Sequence, residues 1–516
     1  MIILVKNTVG REIPEYLDGI GELRPYNSPF DYKPKGRKVG KVLKNPRPHE
    51  SKLVDSIKDA IKKTNLKDGM TISFHHHLRN GDYIVNMVVD EIAKMGIKDI
   101  KLAPSSLSAC HGPLIDHIKN GVITSIESSG LRAPLGTAIS EGIMEKPIII
   151  RSHGGRARAI EAGELKIDVA FLAAPASDEY GNANGFSGKS ACGSLGYAKV
   201  DAQHADQVVL ITDNLVDYPC IPASINQTEV DYVVQVEAIG DPKGIVSGAI
   251  RHNKNPRDIL IAKNAVKAIL ASGYFKEGFS YQTGAAGASL AVTDLLRKEM
   301  IKEDITGSFG LGGITAQLVQ LHEEGLFKGL LDTQSFDLVA AKSIGKNPLH
   351  YEIDASIYAN PHNAGPAVNK LDVVMLGALE IDTNYNVNVI TGSDGYISQA
   401  AGGHPDTAAG AKMSVILAPL IRGRIPIIVD EVTTVVTPGE TIDVVVTDYG
   451  IAVNPRREDL LERFKKANLP LVSIEELKDK AEKITGKPDK VEFEDEIVGV
   501  VEYRDGSIID VMYKVK

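Results

Sequence analysis

The feature that most constrains this chain is a long internal echo. Residues 166–185, KIDVAFLAAPASDEYGNANG, align with residues 370–389, KLDVVMLGALEIDTNYNVNV. Asp168 then meets Asp372, Asn182 meets Asn386 and Asn184 meets Asn388, each pair separated by the same 204 residues (372 − 168). Upstream, LIDHIKNG (114–121) meets LVQLHEEG (318–325) at that offset. One register held from residue 114 to residue 185 marks a duplicated unit. An apolar run bounded by turn residues reads as a strand buried on both faces, as in a parallel sheet. The Asn/Gly cluster after it reads as the loop at that strand's end. The chain is therefore expected to form two related α/β halves, with an active site between them.

The remaining pattern gives boundaries. Residues 1–48, rich in Gly, Pro and Lys, read as an extended arm. A first α/β half is expected over 49–239: helix 49–63, strand 69–74, helix 83–95 closing at Gly96, and strands at 100–103, 148–151, 169–174 and 207–212. Residues 240–257 suit a linker. The second half, 258–454, replays the rhythm with a helix at 259–271, strands at 281–287 and 305–313, and later strands at 413–417, 425–429 and 444–453. Strand–helix alternation of this kind predicts mostly parallel sheets. The tail, 455–516, reads as a small appendage: helical to about 484, then a β-hairpin turning at Asp505-Gly506.

Bulk properties exclude more than they assign. A net charge of −9 argues against a nucleic-acid binder, which would carry a basic stripe. Cys110, Cys192 and Cys220 make an odd set without CxxC spacing, so no zinc site is expected and a reducing, cytoplasmic compartment is. The start MIILVKNTVGREIPEYL lacks the pattern of a signal peptide, and no apolar stretch is long enough to span a membrane.

Three runs carry residues fit for chemistry. Ser73-Phe-His-His-His-Leu-Arg79 follows a predicted strand, where ligands of open α/β sheets gather. His76 and Arg79 suit anion binding; the competing reading is a polar structural loop, and spaced metal ligands are missing. Arg151-Ser-His-Gly-Gly-Arg156-Ala-Arg158 leads from a strand into a helix. Its Arg151, His153, Arg156 and Arg158 could hold carboxylates or phosphates, and Gly154-Gly155 could point backbone N–H groups at an anion; a solvated basic helix start is the alternative. The third run, Gly402-Gly403-His404-Pro-Asp406, allows a ligand close to the backbone or is simply a tight loop with a helix cap. No GxSxG, GxxxxGK[ST] or HExxH motif is present.

Taken together, DVAFLAAPASDEYGN, DVVMLGALEIDTNYNVN, GGHPDTAAGAK and VVVTDYGIAV resemble the CoA-transferases. VGREIPEYLDGIGELRPYNSPF, FHHHLRNGDY and VEYRDGSIIDV narrow the resemblance to the α chains of citrate lyases, over nearly the whole chain. The resemblance implies two CoA-transferase-like domains and transfer of a carrier thioester from acetyl-[acyl-carrier protein] to citrate, giving citryl-[acyl-carrier protein] and acetate. It implies as partners a γ chain bearing a CoA-derived prosthetic group, with no cofactor covalently held here, and a β chain that cleaves the citryl thioester, in a larger complex with homo-oligomeric contacts. Many CoA-transferases carry a Glu-Asn-Gly run whose Glu becomes a covalent thioester. The best match here is Ser308-Phe309-Gly310, without a carboxylate. That departure implies direct attack by a citrate carboxylate, through a mixed anhydride. Ser308, Gly310 and Gly312 are then expected to meet the carrier's prosthetic group, and Gly154, Gly155, Gly402, Gly403 and His404 to serve the oxyanions. A citramalate-specific enzyme, a general acyl-CoA transferase or hydrolase, and a non-catalytic ligand-binding regulator stay open.

Overall fold

The computed structural model describes residues 3–30, 32–34, 36–246, 255–284 and 287–516. Two large sheets dominate it. The first runs in the order Ile508–Val515, Phe493–Glu502, Ile148–Arg151, Ile123–Ser128, Ile100–Leu102, Thr71–Ser73, Val169–Ala174, Gln207–Thr212, Tyr232–Gln235, Leu53–Val54. The second runs His350–Glu352, Phe327–Ser335, Gly307–Ile314, Tyr281–Gln282, Val373–Gly377, Met413–Leu417, Val444–Val446, Ile451–Val453. From Ile148–Arg151 to Tyr232–Gln235, and from His350–Glu352 to Val444–Val446, the two orders correspond strand for strand, and these pairings are parallel. The duplication read from the sequence is thus a duplication of topology.

The repeated residues prove to be structural. Asp168 accepts from the backbone of Thr71, and Asp372 from that of Ser280, so each fixes the start of the neighbouring central strand. Asn184 accepts from Phe186 and Ser187, and Asn388 from Ile390 and Thr391, closing the same turn twice. Every residue of Val169–Ala174 is buried, as a strand covered on both faces requires. In the second sheet Val373 and Met375 join one apolar cluster while Val374 and Leu376 join another, the alternation of a pleated strand.

Several boundaries differ from the sequence reading. The first helix starts at Ile57, not 49, because Ser56 caps it and Leu53–Val54 is drawn into the sheet edge beside Val233 and Val234. The strand expected at 281–287 is only Tyr281–Gln282, and residues 285–286 lie outside the described residues. Of the expected linker, 247–254 also lie outside them. Pro242–Ile245 forms a short 3-10 turn pressed on Arg79–Gly81, where a Cβ on Gly81 would collide with the Asp241 carbonyl. The C-terminal hairpin forms as expected but does not stand apart. Phe493–Glu502 pairs parallel with Ile148–Arg151, so the chain's last strands close the edge of the first sheet. The arm docks on that hairpin through Asn7 Nδ2 to the Ile509 carbonyl (2.8 Å) and Tyr26 N to the Ile508 carbonyl (2.9 Å). Among the described residues no helix is long and apolar enough to cross a membrane.

Removing residues 491–516 would bare a hydrophobic sheet edge and strand the arm. Such a truncated chain is expected to lose its cooperative thermal transition and to collect in the insoluble fraction, as a solubility assay and a melting scan would show.

Candidate functional site

Parallel strands expose their carboxyl ends to ligands, and here the ends of both sheets face one cavity of about 930 Å³. His76 follows Thr71–Ser73, Ser129 and Arg132 follow Ile123–Ser128, and His153 follows Ile148–Arg151. Opposite them stand Gln282 and Thr283, Gln334 and Phe336, and Leu376 and Gly377, at the ends of second-sheet strands. Tyr197, Tyr358 and Ala400–His404 complete the walls. The cavity thus lies between the halves, where the sequence reading expects an active site.

Three aromatic rings form the floor. Tyr197 lies 4.9 Å from His76 and 4.3 Å from His153, centroid to centroid, and the two imidazoles are 5.5 Å apart. Burial holds His76 well below its ordinary range, with repulsion from His153 and His77 behind it; burial and Arg156 pull His153 down to about 3. Both are neutral at pH 7. His76 Nδ1 lies 2.6 Å from Ser105 Oγ, which already accepts the His76 backbone N–H. The hydroxyl proton is therefore free to donate to Nδ1, leaving Nε2–H as the donor of that ring. Burial raises Tyr197 well above 10, so it too remains a donor.

Positive charge comes from two guanidiniums, Arg79 and Arg132, and from Lys243 at the same lining. Burial and the neighbouring Arg132 pull Arg79 down to about 10, and burial lowers Arg132. Arg79 lies over the Phe336 ring at 4.1 Å, and its backbone takes φ +51°, a conformation uncommon outside glycine. Arg132 has no carboxylate partner among the described residues. Two cations repelling one another in a shielded cavity are relieved by a multiply charged anion. Gly402 and Gly403 line the same cavity, and among the described residues no acceptor takes their N–H groups. Gly402 has φ +54°, which favours glycine, and a Cβ on Gly403 would displace the Tyr358 hydroxyl.

The structure thus brings His76, Arg79, His153, Gly402, Gly403 and His404 to the cavity. His404 is held there by its own bonds: Nε2 lies 3.0 Å from the Gly377 carbonyl and Nδ1 2.7 Å from Thr437 Oγ1, and burial lowers it to about 4. Other expectations are corrected. Arg151 is bound to Glu127 and, at 2.8 Å, to Glu502; Arg158 reaches Glu164 (2.7 Å) and Glu502 (2.8 Å). Arg156 grips Asp201 in bidentate fashion at 2.7 and 2.8 Å. All three are buried in ion pairs away from the cavity wall, so their substrate-binding role is withdrawn. The N–H groups of Gly154 and Gly155 are spent on Asp406 and Ser152, each at 2.9 Å, and cannot hold an oxyanion. Ser308, Gly310 and Gly312 lie inside the strand Gly307–Ile314. Ser308 Oγ donates to the Phe279 carbonyl, Gly310 packs on Leu330, Gly312 faces Gln282, and only Gly313 of that run lines the cavity.

Sequence reasoning missed Arg132, Tyr197, Gln282, Gln334 and Tyr358. Arg132 follows the strand Ile123–Ser128, which the sequence reading does not pick out, so the strand-end rule that singles out His76 is not applied there. Tyr197 carried no signal. Among the described residues no group of three His, Cys, Asp or Glu side chains could hold a metal.

Comparison with known proteins gives consistent relatives. The family model "Citrate lyase, alpha subunit (CitF)" matches residues 50–515. A citrate lyase alpha chain from Klebsiella pneumoniae is 59% identical over 467 residues, 90% of this chain and 92% of that one. A Streptococcus mutans chain described as an alpha subunit of citrate lyase, solved in complex with citrate, shares 58% identity. It superposes with a TM-score of 0.96, covering 99% of this chain and all of its own. A Pseudomonas malonate decarboxylase hetero-tetramer matches at 15% identity and a TM-score of 0.64, over 84% of this chain and 86% of that one, which extends the fold alone.

Two outcomes follow from the site's electrostatics. Glu502→Gln leaves Arg151 and Arg158 short of a buried counter-charge and is expected to cost about 3–5 kcal/mol in urea unfolding while leaving anion affinity in the cavity unchanged. The second concerns pH. His75, His76, His77, His153 and His404 are all held below the value of about 6.5 that they regain on unfolding. Below that pH the unfolded chain binds protons that the folded one refuses, so stability falls as pH falls. Asp406 and Asp510, raised to about 6, act oppositely between about 4 and 6, as do Glu380, Asp382 and Asp443, which burial also raises. His111, despite its burial held up to about 9 beside Asp82, acts oppositely between about 6.5 and 9. The five imidazoles, two of them held well below their ordinary range, are expected to outweigh these. The urea midpoint is expected to be lower at pH 5 than at pH 7.

Proposed function

Because the chain belongs to the citrate lyase alpha-subunit family, we propose that it moves the carrier thioester from acetyl-[acyl-carrier protein] to citrate, releasing citryl-[acyl-carrier protein] and acetate. One observation carries this reading: a cavity between two CoA-transferase-like halves sets Arg79 and Arg132 beside neutral donors, with Lys243 as a third cation and Asp241 as the one carboxylate among its described lining residues. Citrate's carboxylates answer the two guanidiniums, and His76 and Tyr197 donate to its remaining oxygens. The cavity is large enough to admit the end of a thioester arm as well.

The route that this lining favours needs no enzyme carboxylate. A citrate carboxylate oxygen attacks the acetyl thioester carbonyl, the C–S bond breaks, and the carrier leaves as thiolate with a citryl–acetyl anhydride in place. The thiolate then attacks the citryl carbonyl and acetate departs. Neither step transfers a proton, so no general base is required. Each passes through an oxyanion, for which the N–H groups of Gly402 and Gly403 are suited; one such donor is worth about 3 kcal/mol. Because a carboxylate is a weak nucleophile, orientation by the two arginines supplies much of the rate. The CoA-type prosthetic group is the carrier γ chain's and enters as substrate. A β chain then cleaves citryl thioester to oxaloacetate and restores the acetyl carrier, within a larger complex in which this chain is present in several copies. The three free cysteines favour the cytoplasm.

The test is transfer by the purified chain from acetyl-CoA, as carrier mimic, to labelled citrate, run beside citramalate, with hydroxylamine and borohydride trapping. Citryl-CoA without a trapped enzyme thioester is the expected result. A trapped glutamyl thioester would overturn the anhydride route, and preference for citramalate would overturn the substrate. Arg132→Ala is expected to lower kcat/KM for citrate about 10- to 100-fold.

A further inference from the structure

We propose that Asp406 is a positioning residue that locks the two walls of the cleft in register, acting through His153 and the Gly402–Gly403 backbone; the inference rests on the transferase reading above. Asp406 is fully buried in the first turn of His404–Gly410, on the second half. Its carboxylate takes two hydrogen bonds from the first half, from Ser152 Oγ and from Gly154 N, each 2.9 Å long. Those two donors flank His153, whose own N–H donates to the Gly402 carbonyl at 2.8 Å. A third segment closes the knot. Arg504, in the turn of the C-terminal hairpin, approaches Asp406 at 3.5 Å and donates to the Ala359 carbonyl at 3.1 Å, next to Tyr358 in the cavity wall.

Asp406, Ser152, Gly154 and Arg504 do not line the cavity, yet Ser152 and Gly154 adjoin His153 and Asp406 is two residues from His404, both of which do. The fit leaves little play. A Cβ at Gly154 would collide with the Ala359 carbonyl and come within 2.7 Å of Asp406 Oδ1. Ser152 Oγ also accepts from Gly155 N at 2.9 Å, so its proton is directed to the carboxylate, and the start of the helix His153–Ala162 is fixed from both sides. Burial raises Asp406 to about 6, which leaves it largely ionised at pH 7 and makes its acceptors strong ones. Loss of that anion frees the His153 turn from the Gly402 loop. It does not touch Arg79 or Arg132, which hold the substrate's charge.

The consequence is a split between turnover and affinity that a purely structural clamp would not produce. The full chain, its Asp406→Asn and Ser152→Ala variants and the double variant would be compared by acetyl-CoA:citrate transfer, citrate calorimetry and urea melts. Asp406→Asn is expected to fold and bind citrate within a few-fold of the parent while kcat drops about 100-fold, the scale of a 1 Å misplacement. Ser152→Ala should lose kcat in the same direction, and the double variant should be no worse than Asp406→Asn, because both break one network. Parent-like kcat in either folded variant, or losses that multiply, would overturn the proposal. If Asp406→Asn fails to fold, Ser152→Ala decides alone on the same criterion. A parent chain that neither binds citrate nor transfers to it would bring down the transferase reading and this inference together; a parent that transfers while Asp406→Asn transfers equally fast brings down this inference alone.

Discussion

A parallel sheet must be covered on both faces, since its crossover helices can run nowhere else. The carboxyl ends of the strands are then the one place where backbone and side chains of many elements converge on open space. Doubling the unit and facing two such edges together gives a cavity whose walls belong to different halves. The candidate site follows largely from that constraint. His76, Arg132 and His153 come from one set of strand ends, and Gln282, Gln334 and Gly377 from the other. The hairpin at the chain's end matters because it completes the first sheet and brings Glu502 and Arg504 as further partners to the buried Arg151, Arg158 and Asp406.

Which arginines act on a ligand is decided by their neighbours, not by their spacing. Arg151, Arg156 and Arg158 follow one another within eight residues, and each is neutralised within the protein. Glu502 lies 351 residues from Arg151 and 344 from Arg158, so a local reading of the sequence had no means of finding it. The same physics explains what was legible. Periodic burial fixed the strands Ile148–Arg151, Val169–Ala174, Gln207–Thr212 and Met413–Leu417 to the residue, because burial on both faces leaves an unbroken apolar run. Short elements such as Leu53–Val54, which exist by pairing alone, left no such trace.

The internal duplication offers a finer discrimination. Positions where the two copies kept the same residue are scaffold: Asp168 and Asp372 anchor strand starts, and Asn182 and Asn386 each donate to the aspartate four residues before them, at 2.8 and 3.0 Å. Positions at the same 204-residue offset that line the cavity have diverged. Arg132 corresponds to Phe336, and both face the cleft. The pairing of Arg132 with Phe336 is chemically pointed, because Phe336 is the ring over which Arg79 lies, so one copy supplies a cation and the other an aromatic face for a second cation. A duplicated fold that bound two equivalent ligands would have kept the cleft positions alike. Their divergence fits a single asymmetric site, one wall charged and the other built of amides, small residues and backbone, as the proposed pairing of a polyanion with an acyl thioester requires.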